Sequence, residues 1–110
     1  MDAVEGRQED VLHFPARASR ERSITVHPNA FNKLLENVPA SGWQVIQEPD
    51  ALNVYFTGLR DIGAGARAEN AIAEFLLREG AVLPPIRVRE VATLQRGATG
   101  KAPLVLASAP

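Results

Sequence analysis

Apolar residues recur along this chain at two spacings, every second position and every third or fourth, and the changes of period divide it into short elements. Residues 11–14 and 23–26 alternate, so that Leu12 and Phe14 share one face, as do Ile24 and Val26. The polar, turn-like stretch 15–22 between them predicts a β-hairpin with a long loop. From Pro28 the period lengthens. Phe31, Leu34, Leu35 and Val38 fall at i, i+3, i+4 and i+7, the apolar stripe of a helix opened by Pro28 and stopped by Pro39 and then Ser41-Gly42.

Alternation returns at 43–47 and 52–57, separated by the turn-forming Glu48-Pro49-Asp50, which predicts a second antiparallel hairpin. In its second strand Leu52, Val54 and Phe56 alternate with Asn53, Tyr55 and Thr57, giving one buried and one wet face. Residues 58–65 read as a loop. A second helix is expected over about 66–79, with Ala68, Ile72, Phe75, Leu76 and Glu79 on or beside one face and Gly80 just past its end. Pro84-Pro85 leads into a strand over 86–91 with Ile86 and Val88 inward, and 104–106 reads as a last strand or a tail. The expected fold class is therefore α+β: two amphipathic helices on a small, largely antiparallel sheet, preceded by a hairpin. Residues 1–10, polar and without apolar period, read as a linker arm, and 11–110 as a single domain.

Composition narrows the function more by exclusion than by indication. A chain of 110 residues that is 45% apolar can bury one modest core and is too apolar for a disordered segment. A net charge of -1 supplies no field for nucleic acid or an acidic membrane surface, and the basic cluster Arg17, Arg20, Arg22 is interrupted by Glu21. The absence of cysteine removes disulfides, thiolate metal sites and a cysteine nucleophile. Acidic residues Asp2, Glu5, Glu9 and Asp10 occupy the region where a signal peptide would be apolar, and no apolar run approaches a membrane span, so a cytoplasmic chain is expected.

Several motifs invite chemistry and fail on spacing. Gly97-Ala98-Thr99-Gly100-Lys101 suggests a phosphate loop, but Gln95 stands where the first glycine is needed and Ala102 where a hydroxyl would meet magnesium. Residues 63–68 loosely match the dinucleotide fingerprint, yet the strand before them alternates, unlike the buried parallel strand that fingerprint follows. His13 and His27 have no carboxylate at metal-ligand spacing, and no serine sits in a nucleophile-elbow context. What remains is Lys101, on a glycine-bearing loop with Arg96 nearby, a mobile positive charge able to reach into a neighbouring site.

Arg96-Gly97-Ala98-Thr99-Gly100-Lys101-Ala102-Pro103 resembles the C-terminal motif of adenylate-forming enzymes, Pro-Arg/Lys-Thr-x-x-Gly-Lys. The opening Gly6-Arg7-Gln8-Glu9-Asp10 resembles the Gly-Arg-x-Asp-Asp hinge of that superfamily, and with Ala102-Pro103 it is most similar to the phenylacetate–CoA ligase branch. Segments 27–31 and 84–88 also resemble segments of these relatives, so the likeness covers nearly the whole chain. The chain departs from the pattern at Glu9 for aspartate, Gln95 for proline and Gly97 for threonine. The 15–22 loop is longer than the family's Arg-Gly turn, so no CoA contact is carried over from it.

The resemblance implies the small, ferredoxin-like C-terminal domain of an AMP-forming acid–thiol ligase. Lys101 would be the adenylation residue, bridging the substrate carboxylate and the α-phosphate of ATP, with Gly100 its flexible neighbour, Arg96 on the same loop, and Arg7 and Glu9 in the hinge. It implies as partners a large N-terminal adenylation domain, a carboxylic acid (aromatic in the nearest branch), and CoA or carrier-protein pantetheine; nucleic acid and membrane are not expected. ATP, magnesium and CoA would belong to the complete enzyme, with no metal or cofactor held by this domain alone and no activity without the large domain. Three readings stand at this point: a ligase fragment or excised domain, a stand-alone small domain acting in trans or in regulation, and an unrelated α+β binding protein.

Overall fold

The computed structural model describes residues 11–19, 21–94 and 105–107. The chain is α+β, with two helices against a mixed sheet and an antiparallel hairpin before them. In that hairpin β1 (Leu12–Pro15) pairs with β2 (Ser23–Val26), Leu12 opposite Val26 and Phe14 opposite Ile24. Leu12, Phe14 and Val26 are buried while His13 and Thr25 point outward, as the alternation requires.

Helix α1 (Pro28–Leu35) buries Phe31 and Leu35, with Pro28 in its first turn and His27 entering in extended conformation. It is shorter than the apolar stripe through Val38 suggests. Pro39 disfavours a helical Val38, and its ring would meet the carbonyl of Leu35 four residues back, so the chain turns at Glu36 and Asn37 instead. Strands β3 (Gly42–Glu48) and β4 (Ala51–Thr57) follow, joined by the two-residue turn Pro49-Asp50 in register Glu48 to Ala51.

Helix α2 (Ala64–Arg78) begins two residues before the expected start. The Asp61 carboxylate accepts the Gly63 N–H at 3.0 Å, and its carbonyl accepts the Ala64 N–H at 3.1 Å. These bonds start the helix inside the segment that reads as a loop. Ala64, Ala68, Ile72 and Leu76, four apart, are its buried residues. At its end Gly80, with φ of 86°, donates to the Leu77 carbonyl at 3.1 Å while Ala81 donates to Leu76 at 3.0 Å. This is a Schellman closure with the buried Ala81–Leu76 contact that usually accompanies it. No side chain crowds Gly80, so its left-handed backbone alone decides the cost of replacement. Gly80→Ala is expected to lower stability by about 1–2 kcal/mol, read as a lower denaturant midpoint.

Strand β5 (Ile86–Glu90) runs parallel to β4, and β6 (Val105–Ala107) parallel to β3, giving the four-stranded order β5-β4-β3-β6. The chain thus carries the β-α-β-β-α-β element order of a ferredoxin-like unit from β2 to β5. Because β2 pairs only with β1, β4 and β5 meet directly and in parallel through the α2 crossover. The antiparallel strand pairs among the described residues are the two hairpins, with one further antiparallel bridge between Ala16 and Ala81, and both edges of the four-stranded sheet are parallel additions.

One sheet face packs Val45, Leu52, Val54 and Phe56 with the helices and hairpin in a single core. The hairpin docks on the end of α2, where Arg17 N–H meets the Gly80 carbonyl at 2.8 Å and Val82 N–H meets Pro15 at 2.7 Å. The opposite face was expected to be wet. Instead Gln44, Ala51 and Asn53 are buried there and Tyr55 is half-buried. Part of that face is a cleft lined by Gln44 and Tyr55 together with residues that follow β5. The chain leaves β5 at one edge and re-enters as β6 at the other, and residues Val91, Thr93 and Leu94 line that cleft.

Candidate functional site

All five residues singled out for function, Arg7, Glu9, Arg96, Gly100 and Lys101, lie outside the described residues. The described chain supplies the two points between which residues 95–104 run. On one side Leu94 packs at the start of β3, its Cδ1 3.4 Å from where a Cβ on Gly42 would stand. On the other, Val105 pairs with Val45. Gly42 and Val45 are three residues apart on the same strand, roughly 10 Å at the ordinary rise of a β-strand.

A cleft of about 350 Å³ lies on the sheet face away from the helices, beside Leu94. Its floor is Gln44, Ile46 and Glu48 of β3 with Tyr55 of β4, and Val91, Thr93 and Leu94 form its rim. The β3–β4 register sets Gln44 directly opposite Tyr55, and period two keeps Ile46 and Glu48 on the same face. The cleft combines an amide, a phenol and a carboxylate with apolar walls.

The segment between β4 and α2 also resolves the dinucleotide-like motif. Its N–H groups at Gly63 and Ala64 are taken by Asp61, and Arg67 closes over the same carboxylate at 2.6 Å. The Gly63 N–H just before the helix thus meets the chain's own carboxylate, and the Ala64 N–H the Asp61 backbone carbonyl. The Arg67 hydrogen bond, then the Gly63 N–H and the Arg67 charge, hold the Asp61 carboxyl below the usual carboxylate range. Because the folded pKa is depressed, the pair contributes above the ordinary aspartate pKa and is lost as pH falls through the folded value. NMR titration should place the Asp61 midpoint below that of an unperturbed aspartate, and Arg67→Met should raise it. An unchanged midpoint in the variant would show that Arg67 does not hold the carboxylate.

His13 and His27 are both exposed, on β1 and at the entry to α1. His13 Nδ1 lies 3.4 Å from Thr25 Oγ1 across the hairpin. Among the described residues no three histidine, cysteine or carboxylate side chains come together to hold a metal, and no helix is long and apolar enough to cross a membrane. Sequence patterning missed two features. Burial of Asn53 and Gln44 gave no signal, because polar alternation reads as solvent exposure; Asp61 as helix starter was legible only as an acidic residue three before the helix. No protein-family model matches the chain, and no curated protein matches it.

Proposed function

We propose that this chain is the mobile C-terminal domain of an AMP-forming carboxylate–CoA or carrier-protein ligase, with Lys101 as its adenylation residue. The observation that carries the reading is the agreement between the motif and its setting. A Gly-Lys segment similar to that of adenylate-forming enzymes falls between Leu94 and Val105, both held on β3 of an α+β domain that opens with a hairpin. The resemblance of 6–10 to the ligase hinge, immediately before that hairpin, supports it from the other end.

The chemistry explains why a lysine is wanted there. A carboxylate attacking the α-phosphate of ATP brings two anions together, and negative charge grows at the attacked phosphorus. An ammonium placed between them offsets that repulsion most in the transition state, which accelerates the step. A lysine on a small domain can also be withdrawn when the domain rotates, freeing the acyl-adenylate for attack by a thiol. ATP, magnesium and the acid would be bound chiefly by the large domain, and Arg7, Glu9, Arg96 and Gly100 would serve the hinge and loop.

The test is complementation. A large adenylation domain of the phenylacetate–CoA ligase-like branch is assayed for ATP–pyrophosphate exchange over a panel of acids, alone and with this chain supplied joined or free. Exchange should rise with the chain present, while the 110-residue protein by itself shows none. Robust exchange by the 110-residue protein alone, or no gain with any large domain tried, contradicts the reading.

A further inference from the structure

Strand β5 ends the sheet order, with β4 on one side. In a parallel ladder each residue directs its N–H and C=O to one side, and successive residues alternate sides. The Leu52 N–H bond to Pro85 O and the Val91 N–H bond to Phe56 O, both 2.8 Å, fix that alternation here. Residues 85, 87, 89 and 91 serve β4, which leaves Ile86, Val88 and Glu90 with their backbone groups on the outer edge. Among the described residues no other segment bonds to that edge.

The side chains along this edge are sorted by face. Arg87 and Arg89 are exposed on the face away from the helices, beside Asn53 and Tyr55 of β4. Neither guanidinium has an ion pair or hydrogen bond among the described residues, where the ion pair is Asp61–Arg67. The neighbouring acid, Glu90, belongs to the other face and accepts the Leu59 N–H at 3.0 Å. Ile86 and Val88 are half-buried on the helix side.

A strand added here would place every second side chain beside Arg87 and Arg89, and the alternate ones beside Ile86 and Val88. A second copy of β5 is disfavoured, because antiparallel pairing would set arginine against arginine. The opposite edge, β6, has three described residues. From this geometry we propose that the outer edge of β5 takes an extended acidic segment of a partner polypeptide, with Asp or Glu at alternate positions and apolar residues between. Main-chain bonds to Val88 and Glu90 would give affinity, and the arginine pair would give sign selectivity and register. The proposal is independent of the ligase reading.

A labelled short peptide alternating Glu and Val serves as the probe, read by fluorescence anisotropy with the whole chain. Two peptides act as controls, one with Lys for Glu and one of the same composition with its glutamates contiguous. The alternating acidic peptide should bind and both controls should not, and amide exchange at Val88 and Glu90 should slow in the complex. Arg87→Glu with Arg89→Glu should weaken binding about tenfold or more, since two favourable cross-strand pairs become unfavourable. Val88→Pro removes an outward N–H without touching the ladder to β4 and should abolish binding; Arg87→Gln with Arg89→Gln keeps the test valid if the proline destabilises the fold, and should also weaken it. No binding by the alternating peptide, equal binding by the contiguous acidic peptide, or binding unchanged in the arginine variants overturns the proposal.

Discussion

Under the proposed ligase function, Lys101→Ala in the complete enzyme is expected to slow acyl-adenylate formation about 10²–10³-fold, the usual effect of losing one charge partner of a transition state. The loss should lie in the rate of the adenylation step, with the apparent affinity for ATP little changed. A cation that meets its two anions only as they approach one another stabilises the transition state more than the bound substrates. Folding stability should stay within about 0.5 kcal/mol of the parent. Lys101→Arg should rescue poorly, because a broad planar guanidinium does not replace a compact ammonium between two anions. Single-turnover formation of acyl-adenylate from acid and ATP reads the rate, and thermal denaturation of the same samples reads the stability. A collapse in stability with either variant would mean that Lys101 holds the fold and that the motif has been misread.

Phe56→Ala is expected to have the largest effect on the fold itself. Phe56 is fully buried on central strand β4, opposite Trp43 of β3 and paired with Glu90 of β5, within the cluster that joins sheet, helices and hairpin. Removing the ring deletes buried apolar area and leaves a cavity that a sheet centre cannot close, for a loss of about 3–5 kcal/mol. A domain of this size has roughly 5–15 kcal/mol in all, so the variant should be partly unfolded or melt far earlier. Ile62, which is fully exposed, provides the contrast. Ile62→Ala should change stability by no more than about 0.5 kcal/mol. Urea denaturation of the pair gives the comparison directly, and similar midpoints for both would contradict the core described here.

The elements that local chemistry fixes were legible. The stripe Phe31, Leu34, Leu35 and Val38, the Pro49-Asp50 turn and Gly80 after α2 each carry their cause within a few residues, and the structure has α1, the β3–β4 hairpin and the Schellman closure there. Sheet order was not legible to the same degree. Whether Ile86–Glu90 adds to one edge or inserts elsewhere depends on how α2 crosses the sheet, and no short-range pattern encodes that. The second face of β4 illustrates the consequence. Asn53 and Tyr55 look solvent-facing by alternation, but Asn53 is buried and Tyr55 half-buried, and Val91, Thr93 and Leu94 line a cleft with Tyr55. For the candidate site the position is reversed. Lys101, Arg96, Gly100, Arg7 and Glu9 were proposed from the resemblance to the ligase motif and hinge and fall outside the described residues, whereas the cleft lined by Gln44, Ile46, Glu48 and Tyr55 emerges only from the pairing of β3 with β4.

The hinge reading adds a requirement that a purely structural lysine would not meet: its importance must differ between the two half-reactions of the ligase. Adenylation would use Lys101 inserted between carboxylate and phosphate, whereas transfer to the thiol would use the rotated domain with the lysine withdrawn. The most direct measurement therefore compares Lys101→Ala with the parent in both steps, first from acid and ATP and then from acyl-adenylate supplied ready-made with the acceptor thiol. The account predicts a fall of about 10²–10³-fold in the first and the parent rate in the second. Equal losses in both steps, or no loss in the first, would contradict it.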